Sequence, residues 1–153
     1  YTFSKSESNL LKLNQRLSSD YNSDELREEL IEKVKVGFHE EVGVTFNSQG
    51  KVIPPNLPDV IVNQVYCSAL SCAYSGIANV HWEPLARIVL QAMYEGAVLA
   101  GMIKWLESLV YCTIKTSKVE EPQETFENQL YLTFVGGGVF GNEMSWIYEA
   151  IGR

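Results

Sequence analysis

The stretch Leu130-Tyr-Leu-Thr-Phe-Val-Gly-Gly-Gly-Val-Phe-Gly-Asn-Glu-Met-Ser-Trp-Ile-Tyr-Glu-Ala-Ile151 opens with an apolar, β-favouring run, breaks into glycines at Gly136, Gly137, Gly138 and Gly141, and resumes as a helical pattern from Glu143. Its order predicts a strand, a loop and a helix. Glycines accept positive φ and carry no Cβ, so successive N–H groups can converge on an anion, while the following helix adds its unpaired N-terminal donors. Asn142 is the expected N-cap.

Upstream, Val42-Gly-Val-Thr-Phe46 alternates as a strand does, and Asn47-Ser-Gln-Gly50 has the composition of a turn. Lys51 to Pro58 holds three prolines, which predicts an irregular connection. Val60 to Leu70 is apolar apart from Asn63, Gln64 and Ser68, as expected of a central strand covered on both faces. Leu85, Ile88, Val89, Ala92, Met93, Gly96, Ala97, Leu99, Ala100 and Ile103 mark the longest helix, from Pro84 to about Leu109. Arg87, Gln91 and Glu95 interrupt its apolar run, so it reads as a sheet-covering helix rather than a membrane span. Gly96, Ala97, Ala100 and Gly101 would let its backbone approach the sheet closely.

Gly-Gly-Gly-Val-Phe-Gly-Asn after an apolar run resembles the second phosphate-binding loop of the macrodomain superfamily, whose members bind ADP-ribose and include the poly(ADP-ribose) glycohydrolases. Val42 to Phe46 and Leu57 to Leu70 look like the central strands preceding the long helix of that fold, so the resemblance covers about the last two thirds of the chain. It implies a three-layer α/β/α fold with a mixed, largely parallel sheet. It also implies a site at the strand ends, where Ser68 meets Gly136, Gly137, Gly138, Val139, Phe140, Gly141 and Asn142, with the diphosphate wrapped by the loop. Phe140 would pack against the ligand or anchor the loop. The Asn-Ala-Ala-Asn-like first loop and the Gln-Glu pair of the hydrolytic members are absent, so catalysis is not assigned. No cofactor is implied.

The remaining sequence carries less chemistry. Leu10, Leu11, Leu13 and Leu17 predict a short amphipathic helix in a lead spanning 1–22, followed by the main domain over 23–153. Leu26, Leu30, Ile31, Val34 and Phe38 predict a helix from Ser23 to about His39, with Glu25, Glu28, Glu29 and Glu32 on its solvated face. Val110 to Ile114 ends the long helix or forms a short strand. Thr116 to Gln129 is polar and acidic, a surface loop.

The 153 residues suit one domain, 46% hydrophobic and 20% charged. A net charge of -7 with scattered Lys and Arg excludes a general nucleic-acid surface but not backbone anion binding. Cys67, Cys72 and Cys112 are odd in number, and no Cys/His set stands at metal spacing. They read as core cysteines of a cytoplasmic protein. The chain opens on Tyr1 rather than Met and reads as a piece of something larger: either a binding remnant, or a piece whose missing strands and first loop belong to a preceding segment that pairs with it. Three functions stay open: a module binding ADP-ribose or ADP-ribosylated molecules, an ADP-ribosyl hydrolase whose catalytic loop lies outside this chain, and a ligand-free interaction or structural domain.

Overall fold

A computed structural model of the chain describes residues 7–18, 23–54, 61–116 and 129–153. The elements in order are α1 (Glu7–Ser18), α2 (Ser23–Lys33), β1 (Gly37–Gly43), β2 (Ile61–Tyr66), a short 3₁₀ turn (Cys72–Tyr74), α3 (Asn79–Thr116) and α4 (Met144–Ile151). Helix dominates. The expected three-layer α/β/α fold with a mixed central sheet is corrected by this order, since the described residues hold only a two-stranded antiparallel sheet, β1–β2.

The spine is α3, whose 38 residues give a length of about 57 Å at 1.5 Å per residue. It extends beyond the expected Pro84 to Leu109 at both ends, so Val110 to Ile114 continues the helix and Pro84 lies in its second turn. Trp82, Ala86, Leu90 and Tyr94 bury its first half in one cluster with Leu10 of α1 and Trp146, Ile147 and Ala150 of α4, and Ile88 and Ala92 are buried as well. The second half keeps its apolar character with less cover among the described residues. Leu99, Ile103, Leu106, Val110 and Ile114 are exposed. By length and composition the Asn79–Tyr111 stretch could cross a membrane, although its first half is the core helix just described.

The helix expected from Ser23 to His39 stops at Lys33, where the Val34 N–H turns back to the Ile31 carbonyl at 3.0 Å. Tertiary contacts decide the boundary. A Cβ on Gly96 would lie 2.9 Å from Val36 Cγ1, so Val36 seats in a notch that only glycine leaves on α3. From Gly37 the chain is extended, and His39 pairs with Gln64 in the sheet instead of closing a helix. A bulge then sets Glu40 and Glu41 opposite Asn63, with Glu41 at φ 53 and its N–H donating to Asn63 Oδ1 at 3.0 Å. Phe46 bridges to Val52 across the expected turn, which Asn47 organises by accepting from the Gln49 and Lys51 N–H groups.

Of the strand expected over Val60 to Leu70, Val60 lies outside the described residues, and the rest forms a strand over Ile61–Tyr66 that is exposed along most of its length rather than central. Leu130 to Val135, expected as an interior strand, forms no strand, and Tyr131 is 81% exposed. The small residues of α3 are used, but by other partners than a sheet: Gly96 receives Val36, and a Cβ on Gly101 would lie 3.3 Å from Leu130 Cδ2. The expected loop from Thr116 to Gln129 falls largely on residues 117–128, outside the described residues.

An ion cluster joins α3 to α4. Arg87 reaches Glu83 on its own helix and Glu149 across the junction, and Arg153 holds Glu149 at 3.0 Å. The Arg153 hydrogen bond and the Arg87 charge hold the Glu149 carboxyl below its ordinary range. A depressed folded-state pKa means the stabilisation is present above the usual carboxylate pKa and is lost as pH falls through the lowered value. Glu149→Gln should therefore lower the thermal midpoint at pH 7 and show a smaller fall between pH 5 and pH 3 than the parent chain; equal acid limbs in the two proteins would contradict the assignment.

Candidate functional site

The glycine loop does meet the segment that follows β2, although no sheet brings them together. Ala69 lies so close to Gly136 that a Cβ there would stand 2.3 Å from the Ala69 Cβ, and Gly141 abuts Ala73 in the same way at 2.9 Å. Gly136 and Gly141 also have φ of +78 and +73, a backbone region that L side chains avoid. Gly137 faces inward, where a Cβ would press on Ile147 Cδ1 and Met144 Sδ at 3.0 Å. Packing thus accounts for three of the four glycines. Gly138 is different, because a Cβ there would meet nothing within 4 Å.

Asn142 does not cap α4, and that expectation is corrected. Glu143 is the N-cap residue, and it makes no side-chain cap bond. Asn142 is instead 4% exposed, and its Nδ2 donates to the Leu70 carbonyl at 2.7 Å and the Gly136 carbonyl at 3.3 Å. Its own N–H returns to the Gly136 carbonyl at 3.1 Å. The residue is a rivet through the loop. Asn79 adds a second tie from α3, donating to the Gly141 carbonyl at 3.1 Å and to Glu143 Oε1 at 3.0 Å. Asn142 Oδ1 is buried with no partner among the described residues.

These ties divide the loop's donors. The N–H groups of Gly137, Gly141 and Asn142 are spent on the carbonyls of Phe134, Gly138 and Gly136. Those three cannot also serve a ligand, which narrows the expected phosphate loop. The N–H groups of Gly138, Val139 and Phe140 have no hydrogen-bond partner among the described residues, and Val139 at the tip is 76% exposed. Phe140 is partly buried against the core, and its ring meets Tyr74 edge-on with centroids 6.3 Å apart. Its carbonyl accepts from the Ala73 N–H at 3.0 Å. Ser68 stands just outside this contact, its N–H near Met93 Sδ at 3.5 Å.

Tyr94, which the sequence reading passed over, takes the place of a strand neighbour. Its buried hydroxyl donates to the Thr133 carbonyl at 2.7 Å and accepts the Val135 N–H at 3.0 Å, satisfying the backbone just before the glycines. Burial pushes this phenol above its ordinary pKa, so it remains a donor throughout the physiological range. Burial likewise raises the Cys67 and Cys72 thiols, which makes both poor nucleophiles. The Cys112 side chain lies outside the described residues. Among the described residues no group of three His, Cys, Asp or Glu side chains could hold a metal ion.

Comparison of the chain with protein-family models, curated proteins and solved structures gives no match. The site must be read from its own geometry.

Two substitutions test that geometry. Asn142→Ala removes both buried side-chain bonds and should cost about 1–3 kcal/mol in urea unfolding; a change within error would show that the loop is held by other means. Tyr94→Phe leaves the ring in place but leaves the Thr133 carbonyl and the Val135 N–H only their 2.9 Å bond to each other, so amide exchange at Val135 should quicken by about tenfold. Unchanged exchange there would remove the hydroxyl from its assigned role.

Proposed function

We propose that the chain is a binding module for a nucleoside-diphosphate ligand of the ADP-ribose class, with the diphosphate held by the main-chain N–H groups of Gly138, Val139 and Phe140. One observation supports this above the others. These consecutive donors have no partner among the described residues, in a loop whose other glycines and Asn142 are immobilised by packing and hydrogen bonds. Donors held still before the ligand arrives cost less ordering on binding, and backbone donors serve an anion even on a chain of net charge -7.

The surroundings fit the other half of such a ligand. Exposed Tyr74, edge-on to Phe140, offers an aromatic face beside the donors, as a nucleobase requires. The resemblance of Gly136 to Asn142 to the macrodomain loop points to the same ligand class. Catalysis is not part of the proposal.

Gly138→Pro removes one donor at the position where added bulk meets nothing. A charge-assisted hydrogen bond is worth about 1.5–3 kcal/mol, so ADP-ribose affinity measured by titration calorimetry should fall by about tenfold or more, with the thermal midpoint monitored in parallel. Glu28→Gln, on the exposed face of α2, should bind as the parent does. Absence of binding heat from the parent chain at millimolar ADP-ribose would end the proposal and leave the loop as a packed turn.

A further inference from the structure

α3 carries an apolar stripe of which the chain itself uses only the first part. Ala92, Gly96, Leu99, Ile103, Leu106 and Val110 follow one another at alternating steps of four and three residues, the spacing that keeps a seam in line with a neighbouring helix. The near end is occupied, since Ala92 is buried and Gly96 receives Val36. From Leu99 onward the stripe is open among the described residues.

The open part is a face rather than a line. At about 100° per residue, Val98 and Leu109 at one margin and Ile103 and Ile114 at the other bound an arc of about 160°, with Met102 and the remaining seam residues between them. These side chains are 39–60% exposed. The chain's own contacts fall on other sides of the helix, where Lys104 meets Glu40 and Gly101 meets Leu130. Between Val98 and Ile114 no charged residue falls inside the arc.

Area and symmetry select the occupant. Seventeen residues of helix about 11 Å across, open over that arc, offer about 500 Å² of accessible surface, so a pair of such faces removes about 1,000 Å², the least that a specific interface needs. Parallel pairing would set each Gly96, already filled by Val36, against its equal in the other copy and push the helices apart. Antiparallel pairing puts the two wrapped halves at opposite ends. With the two-fold axis between Lys104 and Trp105, Leu99 of one copy meets Val110 of the other and Ile103 meets Leu106, each contact occurring twice. A bilayer fits the face less well, because Lys104 and Glu107 stand in the middle of the run and the net charge of -7 opposes an anionic lipid surface.

We propose that this face of α3 is the seat of a second copy of the chain, forming an antiparallel, two-fold helix pair through Leu99, Ile103, Leu106 and Val110. The small area makes the pair reversible. Each copy would complete the stripe that the other leaves open.

Sedimentation equilibrium of the intact chain from about 1 µM to about 1 mM should show a monomer–dimer equilibrium, and amide exchange over Leu99 to Val110 should slow as concentration rises while that of β2 does not. Ile103→Lys and Leu106→Glu, both at exposed positions, should each keep the parent's helical circular dichroism and weaken dimerisation by about tenfold or more. An equimolar mixture of the two variants should regain the dimer, since the antiparallel register sets Lys opposite Glu once and Leu opposite Ile once, whereas a parallel pair would set neither. Four results would overturn the proposal: a parent that stays monomeric at 1 mM, a dimer indifferent to both substitutions, a mixture that does not regain it, or slowed exchange over Leu99 to Val110 that requires phosphatidylcholine vesicles, which would give the face to lipid.

Discussion

The carboxamide of Asn142 is the constraint on which this structure turns. A buried amide that donates to both the Leu70 and Gly136 carbonyls locks two chain segments 72 residues apart into contact. Everything around it is adapted to that closeness. Gly136 and Gly141 lack side chains where Ala69 and Ala73 come against them, and the first turn of α4 is delivered onto Trp82, Ala86 and Leu90. Burying such a group is tolerable only because its donor is used, and the energetic cost of an unmade bond there exceeds the net gain of one made.

From that junction α3 carries the rest in two unlike halves. The first is wrapped by α1, α2 and α4, and a hydroxyl at Tyr94 adds a second bond to each of the Thr133 carbonyl and the Val135 N–H. The second half has the same apolar composition with less cover among the described residues, and the β1–β2 pair meets it through Phe38 under Lys104 and the Glu40–Lys104 pair.

Local signals in the sequence were strong where local physics decides. The amphipathic spacing of Leu10 and Leu17, the Asn47 to Gly50 turn and the long run after Pro84 all yield the elements expected of them. The site was legible in part. Glycines followed by Asn142 marked a loop that meets the segment after Ser68, yet the role of Asn142 as a cross-chain tie and the spending of three N–H groups on internal carbonyls depend on which carbonyls arrive nearby. Tyr94 gave no signal, because one tyrosine on a helix face looks the same whether its hydroxyl meets solvent or backbone.

Sequence by itself determined the helices, the turn chemistry and the positions where only glycine fits, since these follow from dihedral freedom and 3.6-residue periodicity within a few residues. Only the tertiary structure decided that Leu130 to Phe134 would lie open, that the run after Pro58 would give the exposed strand Ile61–Tyr66, and that α2 would end at Lys33. A strand is completed by hydrogen bonds to a neighbour that its own residues cannot supply, so an apolar run states a readiness to pair and not the pairing itself.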